Sequence, residues 1–210
     1  MSSEALKNAR RGEGGYALVG LLALMTVLAV SMTAAAPSLR QQSMREREQE
    51  AIYRGEEVAD AIETFARAKN GQLPKSMEEL LEGVPVGTKK VQILRASAAR
   101  DPLSSTGEWR LLQPQGRDMV AFQRALQLYM GGRQIPPAQG VDAWKMRYRV
   151  QITGITDLGE EGEAPPGGED DSTNASVPFV GVASRSQRAS VLTYYDIERH
   201  DRWVFTPLFR

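Results

Sequence analysis

The chain has 210 residues, enough for one domain with a real core plus an anchor. Lys plus Arg and Asp plus Glu balance at 26 each, which argues against a nucleic-acid binder, a class that carries a basic surplus. With no cysteine and one histidine, disulfide frameworks, thiolate metal sites and Cys nucleophiles are excluded, and a His-based metal site or triad would need unusual partners.

Residues 16–36 read YALVGLLALMTVLAVSMTAAA, 21 residues without a charge. At about 1.5 Å per residue this run spans roughly 30 Å, the thickness of a bilayer core. Lys7, Arg10 and Arg11 precede it, against Glu4 and Glu13; Arg40, Arg45 and Arg47 follow it, mixed with Glu46, Glu48 and Glu50. The cleaner positive excess lies before the run. The positive-inside rule therefore predicts a cytoplasmic N-terminus and an exported remainder. A cleaved secretory signal peptide would use Ala34–Ala36 as its small-residue site, but Pro37 after the cut disfavours it and the run is long for an h-region. An uncleaved signal anchor fits the length equally well.

A third reading uses more residues. Gly14-Gly15-Tyr16 stands between a charged leader and the apolar run. This order resembles the prepilin peptidase site of the type IV pilin and type II secretion pseudopilin superfamily. The resemblance implies cleavage after Gly15, with Tyr16 as the first mature residue. It also places Pro37 where that superfamily carries a helix-bending proline, and a proline inside a helix deletes a backbone hydrogen bond. The fifth mature residue, commonly Glu in the superfamily, is here Gly20. The resemblance further implies partners: other pilins or pseudopilins through the N-terminal helix, the prepilin peptidase, the inner-membrane assembly platform and membrane lipid, with no nucleic acid.

Beyond Pro37, apolar or small residues recur at Ala51, Ile52, Gly55, Val58, Ala59, Ile62, Phe65 and Ala66, the spacing of one helix face. Glu50 and Arg54 pair at i, i+4 on the other face. Asn70-Gly71 and then Pro74 predict the helix end. Ser76 and Glu79 have capping-box spacing for a short helix. The Lys-Asn-Gly turn with this short acidic helix, and Asp101-Pro102-Leu103 leading to Trp109, are similar to major pseudopilins. Residues 118–130 read as an inserted helix or an ordered loop. Strands are predicted at 109–112, 144–152, 179–183, 191–195 and 203–206, with WKMRYRVQI at 144–152 the best alternating run.

The expected organisation is a leader at 1–15, a transmembrane assembly helix at 16–37, its exported half at 38–70, and a head at 71–210. The expected fold class is α+β, a long N-terminal helix packed on a C-terminal antiparallel sheet. Residues 159–173 (GEEGEAPPGGEDDST) cannot bury enough apolar area to order themselves and read as a solvated, flexible loop. Glu169, Asp170 and Asp171 within it are weak calcium candidates, since clustered carboxylates suit Ca²⁺; the spacing is not an EF-hand. Catalytic motifs of the nucleophile-elbow, phosphate-loop and zincin kinds do not occur in the sequence, so no enzyme is expected. His200, between Arg199 and Asp201, reads as a neutral surface side chain. Trp109, Trp144 and Trp203 read as core or sheet-face residues. The reading that follows is a pilin-like subunit of a secretion or pilus system, in the inner membrane with its head in the periplasm or outside. The other is a stand-alone anchored envelope binding domain.

Overall fold

The computed structural model describes residues 13–133, 143–149 and 177–209, with backbone alone at 13–14 and 32–40. Helix α1 runs Glu13–Ala68. The short helix α2 (Met77–Glu82) follows, then a hairpin of β1 (Val84–Val86) and β2 (Lys89–Val91), then β3 (Arg110–Leu112). Next come α3 (Arg117–Tyr129) and α4 (Ala143–Tyr148), then β4 (Gly181–Ala183), β5 (Ala189–Tyr194), β6 (Ile197–Arg199) and β7 (Val204–Phe205). The fold is α+β and its strand pairs are antiparallel. β4 is the centre of a three-stranded sheet ordered β3-β4-β7, and β5 pairs with β6. The chain divides into two compact units, Met1–Met44 and Arg45–Arg210.

In the first unit, every described side chain from Gly15 to Ser31 is exposed. Among the described residues no helix is long and apolar enough to cross a membrane. The described side chains of the apolar run end at Ser31, whereas the run in the sequence continues to Ala36.

In the second unit, the predicted apolar face of α1 is the spine of the core. Ala51, Val58, Ala59, Ile62, Phe65 and Ala66 are buried. The last five of these join a cluster with Leu80, Trp109, Leu112, Val182, Trp203 and Phe205. Each large apolar side chain so buried stabilises the fold by about 1.5–3 kcal/mol. Gly55 is small for a visible reason: a Cβ there would stand 2.2 Å from the Phe205 ring, so helix and sheet approach closely at this point. Ala68 ends the helix, Asn70 takes a left-handed φ of 54°, and Gly71 returns its N–H to the Ala66 carbonyl at 2.7 Å, a C-terminal cap of the expected kind.

The polar face is fastened as well. Arg54 pairs with Glu50 at 2.7 Å and donates to the Arg100 carbonyl at 3.2 Å. Glu57 takes the Arg95 guanidinium in a two-pronged contact. The hydrogen bond from Arg95 holds the Glu57 carboxyl below the usual carboxylate range, against a smaller opposing effect of burial. Asp101 is buried: its Oδ1 accepts the Leu103 N–H at 2.9 Å and its Oδ2 accepts the Ser184 hydroxyl at 2.7 Å. The Asp-Pro turn therefore ties the segment before β3 to the segment after β4.

Two expectations are corrected here. The strand expected at 144–152 is, over its described residues, the helix α4. Strict alternation would bury Trp144, Met146 and Tyr148 together. Instead Trp144 and Tyr148, one helical turn apart, meet edge to face at 6.3 Å, while Met146 is exposed and Lys145 is buried with its ammonium 3.3 Å from Glu63. Tyr148 also donates to the Gly71 carbonyl at 3.0 Å. A lysine stem filling a core position hides the helical period from a hydropathy pattern. The capping box is displaced: the Ser76 hydroxyl makes no cap bond to the helix backbone, and Glu79 accepts from the Lys75 N–H at 3.0 Å. Ser76 instead bonds Glu78, which lowers that carboxyl's pKa. The β1–β2 hairpin, turning at Gly87 with φ 64°, was not anticipated. The segment 118–130, read as helix or ordered loop, is helix α3.

Ile62→Asp would place a carboxylate in the middle of the α1 contact. We expect a loss of about 3–5 kcal/mol, seen as a fall in the urea midpoint; a midpoint equal to the parent's would refute the packing described. Arg95→Gln tests the Glu57 pair. Because the folded-state carboxyl is depressed, its stabilisation is present above the unfolded carboxyl's pKa of about 4.3 and is lost as pH falls below it. The variant should therefore lose less stability than the parent on acidification through that range, measured by thermal melts across a pH series.

Candidate functional site

Two features stand out, one in each unit. The first is the exposed apolar stretch of α1. Gly15 and Gly20 have no atom within 4 Å of a notional Cβ, and Tyr16 is 87% exposed. Leu18, Val19, Leu21, Leu22, Leu24 and Met25 are all more than half exposed. The polar side chains of the stretch turn inward on their own helix. Thr26 donates to the Ala23 and Leu22 carbonyls at 2.8 and 3.1 Å, and Ser31 to the Val27 carbonyl at 2.7 Å. The Thr26 and Ser31 hydroxyl protons are thereby satisfied within the helix. Pro37 falls within the α1 span, its side chain outside the described residues. Glu169, Asp170 and Asp171 also lie outside the described residues, with the whole expected acidic loop. Among the described residues no group of three or more His, Cys, Asp or Glu side chains is placed to hold a metal ion.

The second feature was missed from the sequence. His200, expected at the surface, is 1% exposed, and Glu48, read only as one of the charges that follow the apolar run, is 0% exposed. His200 Nε2 lies 2.8 Å from Glu48 Oε1. The same carboxylate accepts the Val191 N–H at 2.9 and 3.1 Å and the Leu192 N–H at 2.7 Å. His200 Nδ1 is 3.3 Å from the Ser186 hydroxyl, and the ring meets Trp203 edge-on at 5.1 Å.

The local fold explains how these groups meet. The β5–β6 pairing shifts register between Ala189 and Tyr194, so the N–H groups of the neighbouring residues Val191 and Leu192 both reach Glu48. A regular strand would send them to opposite sides. His200 opens a short 3-10 turn, His200–Arg202, directly after β6, and its N–H goes to the Arg188 carbonyl at 3.2 Å. Sequence reasoning missed the pair because Glu48 lies in a charge run, REREQE, where one inward carboxylate looks like its neighbours. The available signal was the helical period: Glu48 falls three residues before Ala51 and seven before Gly55, on the buried face.

Beside this cluster, burial pushes the Tyr194 phenol well above the usual range, and its hydroxyl donates to Glu56. Tyr195 and Asp196, at the tip of the β5–β6 hairpin, take left-handed φ values of 50° and 63°, where glycine or asparagine is usual. Tyr195 is held there by edge-on contacts with Phe122 and Tyr129.

No family model, no curated protein and no solved structure matches the chain.

With both buried, removing His200 takes one donor from Glu48, and removing Glu48 strips the acceptor from His200 Nε2 and from the Val191 and Leu192 N–H groups. His200→Ala and Glu48→Ala should each cost about 3–5 kcal/mol. The double variant should cost clearly less than the two losses combined, because the pair acts as one unit. Urea titrations of the four chains give the cycle; additive losses would mean that the two groups do not interact.

Proposed function

We propose that this chain is a pilin-like, pseudopilin-type subunit of a type II secretion or type IV pilus system, with a structural rather than catalytic role. In this reading the apolar part of α1 lies in the inner membrane, the N-terminus is cytoplasmic, and the α+β head is exported. The observation that carries it is the exposed helical stretch from Tyr16 to Ser31, apolar on every side and directly after Gly14-Gly15. A helix apolar all round requires apolar surroundings, either lipid or other helices. The inward-turned Thr26 and Ser31 hydroxyls meet the same requirement, since hydrocarbon offers no hydrogen-bond partner. The carbonyl groups of such a helix are satisfied internally, which is what permits it to lie in lipid at all.

A second reading has its own observation. α1 already begins at Glu13 and continues through Gly15, as in a signal anchor that is never cut and carries a stand-alone envelope binding domain. The two readings separate at the leader. If the pilin-like reading is right, N-terminal sequencing of membrane-extracted protein begins at Tyr16, and replacing Gly15 with a larger residue leaves the precursor uncut. A mature chain beginning at Met1 favours the plain anchor, and one beginning at Pro37 indicates a secretory signal peptide.

Gly20 refines the proposal. In the superfamily that the N-terminus resembles, the carboxylate at this position pairs with the amino terminus of a neighbouring mature subunit. An unpaired charge in or beside hydrocarbon costs roughly 3 kcal/mol or more, and Gly20 has no side chain to offer. A subunit of this kind is poorly suited to the repeating body of a filament and suits a tip or initiating position, as in the capping minor pseudopilin, which also lacks the glutamate. Quantitative mass spectrometry of sheared filaments should find this chain in far fewer copies than a partner that carries the carboxylate. Equal abundance, or a homopolymer of this chain, would exclude the tip position.

A further inference from the structure

The arrangement around His200 has a property that a simple buried ion pair lacks: it can hold one proton more or less without losing a hydrogen bond. When ionised, Glu48 is a pure acceptor and receives three N–H groups, from Val191, Leu192 and His200 Nε2. That fixes the Nε2 proton and leaves Nδ1 facing the Ser186 hydroxyl. With His200 neutral, Ser186 donates to the Nδ1 lone pair. With His200 protonated, Nδ1 donates and the hydroxyl turns to accept. The hydroxyl rotor is the adjustable part, and only Ser, Thr or Tyr can reverse roles in this way. Other charges near the ring are committed elsewhere: Asp201 to Arg199 at 2.9 Å, and Arg110 to Asp118 and to the Asp201 carbonyl.

We propose that Glu48, His200 and Ser186 form a proton-tolerant latch, which holds the β5–β6 hairpin on α1 with His200 either neutral or protonated. It is the sole histidine of the chain, so one side chain carries the whole response. Glu48 is the first buried position of α1 in the second unit, and the latch therefore sets where the helix begins to be gripped by the head. The proposal stands independently of how the N-terminus is processed.

Glu48→Gln separates tolerance from mere packing. The glutamine oxygen can accept from Val191 and Leu192 while its amide donates to Nε2, provided His200 is neutral with its proton on Nδ1. Protonating the ring then sets two donors against each other, and flipping the amide only moves the conflict to the backbone N–H groups. The variant should be latched when His200 is neutral and open when it is charged.

The test is hydrogen–deuterium exchange of residues 189–194 in the full chain in detergent micelles, corrected for intrinsic rates, with the histidine ring signal followed by NMR. In the parent, protection at Val191 and Leu192 should agree to within about threefold between the neutral-ring and charged-ring forms that the NMR signal identifies. In Glu48→Gln it should fall at least about tenfold in the charged-ring form. The idea is overturned if parent protection drops in step with the ring signal, if the ring never titrates between about pH 4 and pH 9, or if Glu48→Gln is equally protected in both forms. Should that variant not fold, the two parent measurements decide alone.

Discussion

The buried carboxylate of Glu48 is the constraint around which the second unit is arranged. A carboxylate without water costs several kcal/mol unless donors replace the lost solvent, and three N–H groups from two distant parts of the chain do so here. Supplying them imposes conditions elsewhere. β5 must break its register so that two consecutive N–H groups reach the same carboxylate. The chain must turn directly after β6 so that His200 points inward. Trp203 must then close over the ring, which it does while donating its indole N–H to the Ile197 carbonyl at 2.9 Å. One charge thus sets the path of residues 186–203.

How far the sequence carried depends on whether a residue's neighbours in sequence shared its environment. The apolar face of α1 was legible because Val58, Ile62 and Phe65 repeat with the helical period and all meet one surface. The helix end at Asn70-Gly71 was legible because left-handed backbone favours those two residue types. The strands around Val182 and Phe205 were placed to within a residue or two. Trp144 misled because Lys145 buries its stem in contact with Glu63, which inverts the polarity that the periodicity count relies on. Glu48 and His200 were invisible for a related reason. Their partners lie 152 residues apart, and a polar residue that is buried because a specific partner exists leaves no local trace.

The two units treat polarity in opposite ways, and each needs its own kind of surroundings. In the first, leucines, valines and a methionine face outward along a helix whose Thr26 and Ser31 hydroxyls are turned back on its carbonyls. In the second, a carboxylate and an imidazole face inward while arginines and glutamates cover the outside. An apolar exterior is stable only where the medium offers no hydrogen bonds, and a charged interior only where the protein supplies all of them. On the proposed reading both demands are met along α1 alone. Its first part would be solvated by lipid or neighbouring helices. Its second part, from Glu48 onward, is solvated by its own head. The described side chains from Tyr16 to Ser31 would find their apolar partner outside the chain, whereas the buried polar atoms of Glu48 and His200 find theirs within the head.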